Sequence, residues 1–148
     1  MPALLLAGCS AESIRDSGGA VVSAGPWSVF DLRPGDCITE ASVEDSDMVP
    51  LVPCDEPHGQ EVYAVITSTD TSYPGGGALA ARGDEQCLSG LNGLGSQVPE
   101  GIPFSYLLPS ETTWQENNDR AIVCVLIFPG GQALGSFVSG TADLGTIG

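Results

Sequence analysis

Lysine is absent from this 148-residue chain, and only Arg15, Arg33, Arg82 and Arg120 carry a fixed positive charge. Against 19 acidic residues they leave a formal net charge of −15. Nucleic-acid binding needs a basic footprint that displaces counterions from phosphates, so no nucleic-acid partner is expected. The same deficit excludes docking on anionic lipid headgroups through a basic patch. No apolar run of about 18 residues exists, so the body does not read as transmembrane. Histidine occurs once, at His58, and it is the one side chain whose ordinary pKa lies near neutrality. No G-x-S-x-G string supplies a nucleophile elbow. The acidic Glu44-Asp45-Ser46-Asp47 lacks the spaced, roughly 12-residue ligand loop of an EF-hand and reads as a solvated loop. No catalytic set, metal or cofactor is therefore expected.

What the chain does have begins at its start. Leu4-Leu5-Leu6-Ala7-Gly8-Cys9 is a short apolar run, two small residues and a cysteine, the pattern of a bacterial lipobox. Cys9 is then the lipidation site. Met1-Pro2-Ala3 carries no Lys or Arg, and the apolar run falls short of the usual h-region of about 7–15 residues. Residues 1–9 are thus expected to be a truncated signal with its true start upstream. Two or three acyl chains, at about 0.8 kcal/mol per buried methylene, would hold the protein stably on a membrane. Residues 10–26 are small and polar, with Ser17-Gly18-Gly19 at their centre. They read as a flexible tether, leaving 27–148 as one globular domain.

Cys37, Cys54, Cys87 and Cys124 make an even set in a presumed oxidising compartment and read as two disulfides. Three pairings are possible. Cys37–Cys54 with Cys87–Cys124 is favoured because each bond closes a local loop, for roughly 3–4 kcal/mol apiece in the chain-entropy model. A zinc site using Cys54 and His58 is disfavoured, since structural zinc prefers cysteines about two to four residues apart.

Val29–Leu32 is expected to be a short strand, ended by the turn Arg33-Pro34-Gly35-Asp36. Met48–Val52 is expected at a sheet edge because Pro50 cannot donate to a ladder. Glu61–Ile66 is rich in β-branched and aromatic residues, which favours a strand. After Pro74-Gly75-Gly76-Gly77, a helix over 78–91 places Ala80, Gly83, Cys87 and Leu91 on one face. Phe104–Leu108 reads as a strand. Ser110 caps a short helix through Trp114, and Asn117-Asn118 suits a left-handed exit. Ala121–Phe128 is continuously apolar, as a strand buried on both faces requires. Gly130-Gly131 then turns into a final hairpin strand over 134–138. The fold class expected is α+β: a mainly antiparallel sheet of about five to six strands, one principal helix and disulfide staples.

Several of these residues fall in a recognisable order. Gly35-Asp36-Cys37, Val52-Pro53-Cys54-Asp55-Glu56-Pro57-His58 and Glu61-Val62 come first. Tyr73-Pro74-Gly75, Cys87, Pro109 with Trp114, Asp119-Arg120, Cys124 and Gly135-Ser136 follow. This pattern, from about Phe30 to Gly140, resembles the septum-formation domain family of actinobacterial envelope proteins. Ile38 stands where an aromatic is common, and Asn118 where glycine is usual. The resemblance implies an envelope-anchored, disulfide-stabilised domain linked to the division septum.

The function expected is that of a non-enzymatic lipoprotein on the outer face of the cytoplasmic membrane, held by its N-terminal lipid. It would bind an envelope protein or a cell-wall component. His58, Glu61, Trp114 and Arg120 are the binding candidates. Against this stand simpler structural roles: His58 bonded to Glu61 in the turn after Cys54, Trp114 as a core plug and Arg120 paired with a carboxylate. The alternative function is a cell-wall hydrolase or metal-dependent enzyme centred on His58 and its neighbouring carboxylates.

Overall fold

The computed structural model describes residues 14–39, 47–128, 130 and 133–142. Cys9 and its apolar lead, most of the acidic loop and Gly131 lie outside the described residues. Six strands form one antiparallel sheet: β1 (Gly25–Ser28), β2 (Cys37–Ile38), β3 (Met48–Val52), β4 (Gln60–Thr67), β5 (Phe104–Leu107) and β6 (Ala121–Ile127), in the spatial order β1-β3-β2-β4-β6-β5. One long helix, α1 (Gly76–Leu94), and one short helix, α2 (Glu111–Glu116), complete the α+β domain.

β6 shows why a continuous apolar run was required. Ile122, Cys124 and Leu126 enter the core beneath α1, while Val123 and Val125 enter a second core on the other face. Each large aliphatic side chain so buried contributes about 1.5–3 kcal/mol. A bulge between Val62 and Ala64 breaks the β4–β6 register. The extra residue lets Val62 serve one core while Tyr63 and Ala64 both serve the other.

The buried face of α1 is Leu79, Gly83 and Cys87, with Leu91 packed at its margin. Leu79 therefore heads this ladder where Ala80 was expected; Ala80 is half-buried. Gly83 lies flat against the ring of Tyr106, to which an added Cβ would come within 3.0 Å. The Tyr63 hydroxyl donates to the Cys87 carbonyl at 2.7 Å. The Cys87–Cys124 disulfide then fixes helix to sheet, and Cys37–Cys54 joins β2 to the turn after β3. Both favoured pairings are present.

Four local expectations differ from the fold. Val29–Asp31 is a 3-10 turn capped by Ser28, and the strand precedes it as β1. Nothing alternates in Gly-Pro-Trp-Ser, so pairing with β3 makes it a strand. β3 is internal, between β1 and β2. Pro50 is tolerated there because it faces Pro26, which also lacks an N–H, and because its carbonyl accepts from Thr39 N at 3.1 Å. The segment after β6 does not return along β6 as a hairpin strand. It crosses to His58, where Ala133 exchanges two backbone hydrogen bonds of 3.1 Å, and then coils through a turn at 137–140. Finally, residues 14–25 belong to the folded body and not to a free tether. Arg15 bridges Val21 and is 7% exposed, and Ile14 and Val21 pack on the second core.

Candidate functional site

A cleft of about 920 Å³ opens where four loops meet. Its walls are the turn 18–22, the turn 33–36 before β2, the turn 53–56 after β3, and Ser136, Ser139 and Thr141 of the C-terminal segment. The cleft lining is mixed, with Arg33, Asp36, Asp55 and Glu56 beside Val21, Val22, Pro34 and Pro53.

Each wall is tied down by a specific contact. The Arg15 guanidinium donates to both carboxylate oxygens of Asp36, at 2.7 and 2.6 Å, with both side chains almost fully buried. Arg15 also donates to the Gly19 carbonyl at 2.9 Å and stacks 4.5 Å from the Trp27 ring centre. Asp36 further accepts from Arg33 N at 2.8 Å. One bidentate pair thereby clamps the first wall to the second. The Asp16 carboxylate caps the 17–20 turn by accepting from Gly18 N and Ala20 N, as Asx turns do.

The Cys37–Cys54 disulfide stands between the second and third walls. Cys37 is fully buried, whereas Cys54 is half-buried and lines the cleft. Cys54 Sγ lies 3.2 Å from the Gly35 carbonyl oxygen; bonded to Cys37, it has no proton to donate.

The fourth wall is held by Glu61, which is fully buried in β4. Its carboxylate accepts from the Ser136 hydroxyl, from Phe137 N at 2.7 Å and from Val138 N at 3.4 Å. Burial raises the Glu61 pKa above the ordinary 4.5, and those three donors and the nearby His58 oppose the rise only in part. Gly135 donates to the Cys54 carbonyl at 2.6 Å from a φ of +78°, and a Cβ there would run into the Thr141 carbonyl. Only glycine fits that position. A Glu61 carboxylate oxygen and the sulfurs of Cys37 and Cys54 all lie within 4.8 Å of one another. Because the sulfurs are bonded together, the set offers a disulfide beside a carboxyl group and not two thiolate ligands.

The four binding candidates do not converge. His58 and Glu61 lie at the Gln60–Ile127 end of the β4–β6 ladder, and Trp114 and Arg120 flank its Thr67–Ala121 end. His58 is fully buried, with its ring edge-on to Phe128 at 5.6 Å. Its Nδ1 is 2.8 Å from the Glu56 carbonyl, which can only accept, so Nδ1 donates. Nε2 meets no hydrogen-bond partner among the described residues. The expected His58–Glu61 hydrogen bond is replaced on both sides: Glu56 takes the histidine, and the C-terminal segment takes the glutamate. Trp114 is 3% exposed, as a core plug would be. Arg120 stacks 3.8 Å from its ring centre and donates to the carbonyls of Trp114 and Asp119. The carboxylate partner expected for Arg120 is absent among the described hydrogen bonds, since Asp119 accepts from Thr113 and Ala121 instead.

Sequence reasoning missed Arg15, Asp36 and Ser136. Arg15 sits in a stretch whose composition reads as a spacer, and nothing local reveals its partner 21 residues on. For Ser136 nothing local points to its partner Glu61, which lies 75 residues earlier. No protein-family model, curated protein or solved structure matches this chain.

Proposed function

We propose that this protein is a membrane-anchored, extracytoplasmic lipoprotein whose globular domain binds an envelope protein or cell-wall component through the disulfide-flanked cleft. The observation that carries the reading is the cleft itself: four loops, each held by a buried pair, a covalent bond or a glycine-specific turn, around one cavity of mixed polar and apolar lining. Binding surfaces are commonly built from loops on a rigid sheet, and prior ordering lowers the entropy lost on association. The lipobox-like N-terminus and the two disulfides favour an envelope location. The resemblance to the septum-formation domain family favours a role at the division septum.

An enzyme centred on His58 draws no support from the geometry, because His58 is fully buried, its Nδ1 is committed to the Glu56 carbonyl and its ring lies against Phe128. The test is recovery of the full-length protein from membranes crosslinked before lysis. Co-recovery of division-machinery components supports the septal role. Recovery of transport or respiratory complexes redirects it, and recovery of the protein alone, in the soluble fraction, contradicts it.

A further inference from the structure

The two disulfides sit in different settings. Cys87 and Cys124 are both fully buried between α1 and β6. In the other bond only Cys37 is fully buried, while Cys54 lines an open cleft. A carboxylate oxygen of Glu61 stands within 4.8 Å of both sulfurs. Glu61 holds the C-terminal segment, and the same carboxyl group lies close enough to the half-accessible disulfide to serve its sulfurs as well.

We propose that Cys37–Cys54 is an exchangeable disulfide, with Cys54 the sulfur attacked from the cleft, Cys37 the leaving sulfur and Glu61 its proton donor. The co-reactant is a dithiol. One thiolate of the dithiol attacks Cys54 Sγ, forming a mixed disulfide and breaking the Cys37–Cys54 bond. The electron pair of the broken bond goes to Cys37, whose thiolate takes the proton of Glu61, directly or through one intervening water. The second thiolate of the dithiol then attacks its own sulfur in the mixed disulfide. Cys54 leaves as a thiolate and takes a proton from solvent, and Glu61 is reprotonated from solvent. Two electrons have passed from the dithiol, now a disulfide, to Cys37 and Cys54, now thiols. The reverse sequence, with Glu61 as base, re-forms Cys37–Cys54 and reduces the external disulfide to a dithiol.

Three features fit this chemistry. Exchange requires access to one sulfur and stabilisation of the other as it leaves, which is the asymmetry between Cys54 and Cys37. Burial holds the Glu61 proton to a higher pH than an ordinary carboxyl would, and general acids work best with a pKa near the operating pH. The Gly35 carbonyl, 3.2 Å from Cys54 Sγ, is a ready acceptor for the thiol once formed. This activity goes beyond the binding reading, and partner recovery from membranes is measured separately, so either can fail alone.

The experiment treats the full-length oxidised protein with dithiothreitol across a pH series, quenches with an alkylating reagent and identifies the labelled peptides. Cys37–Cys54 is expected to open at least ~10-fold faster than Cys87–Cys124. In Cys37→Ser, Cys54 is expected to form a mixed disulfide with an aromatic disulfide reporter. Glu61→Gln is expected to slow opening by about 10²-fold, the lower range of general acid catalysis, and to remove an inflection from the pH–rate profile. Ser136→Ala keeps the carboxyl but deletes a hydrogen bond that lowers its pKa, so the inflection moves to higher pH. Equal or slower opening of Cys37–Cys54 overturns the proposal. So does an unchanged profile in folded Glu61→Gln, or an inflection that stays fixed in Ser136→Ala.

Discussion

At the scale of single residues, the domain is organised around buried charges that loops share. Arg15–Asp36 is nearly inaccessible and bidentate, and removing one member of such a pair strands the other. Asp36→Ala is therefore expected to cost about 3–5 kcal/mol, read as a lowered denaturation midpoint; a loss below about 1 kcal/mol would contradict the clamp. Glu61 makes a pH-dependent contribution. Its folded pKa is raised above the ordinary 4.5, so its share of stability is complete below that value and is lost as pH rises through the raised value. Glu61→Gln should flatten the stability profile over that window, and denaturant titrations at successive pH values would show it. Tyr63 behaves alike at the alkaline end. Burial pushes its hydroxyl from 10.0 to about 12, so its contribution fades between those pH values and Tyr63→Phe should unfold less steeply there. None of these three roles is visible in the sequence, because each depends on a partner brought from elsewhere in the chain. Arg15 and Asp36 are 21 residues apart, and Glu61 and Ser136 are 75 apart.

At the scale of elements, legibility followed periodicity. β4, α1, β5, α2 and β6 can be read because each carries its own signal: β-branched enrichment, helical spacing, a Ser110 cap that bonds Thr113 N, or a long apolar run. Asn118 adopts the expected left-handed backbone, with φ of 53°. β1 and the segment after Ala133 carry no such signal. Their conformation is set by what they pair with: β3 for the first, and His58, Cys54 and Glu61 for the second. The Met48–Val52 strand was visible but its place was not, since one proline argues for an edge only when its missing N–H would have met an acceptor. Two substitutions test the element contacts. Gly135→Ala must move Thr141 or the turn itself, and should loosen the C-terminal segment, read as faster amide exchange at Phe137 and Val138 with protection in α1 unchanged. Removing both Cys87 and Cys124 by alanine substitution opens a loop of sequence separation 37 and should cost about 4 kcal/mol in the chain-entropy model. A double variant as stable as the parent would show that helix packing alone suffices.

At the scale of the whole molecule, charge limits the possible partners. All four arginines are engaged within the fold: Arg15 with Asp36, Arg33 with Asp31, Arg82 with Asp70, and Arg120 on Trp114. The chain as a whole carries a net charge of −15. No helix among the described residues is long and apolar enough to cross a membrane. In the proposed function the anchor is acylated Cys9, so Cys9→Ser is expected to move the protein from the membrane to the soluble fraction on cell fractionation. In the proposed function the cleft, and not another face, meets the partner. That contact is tested most directly by a photo-crosslinking amino acid placed in intact cells either at Ser139, exposed on the cleft wall, or at Gln115, exposed on α2 away from it. A defined envelope adduct from position 139 and none from position 115 is the outcome expected; adducts from 115 alone, or equal yields from both, would contradict it.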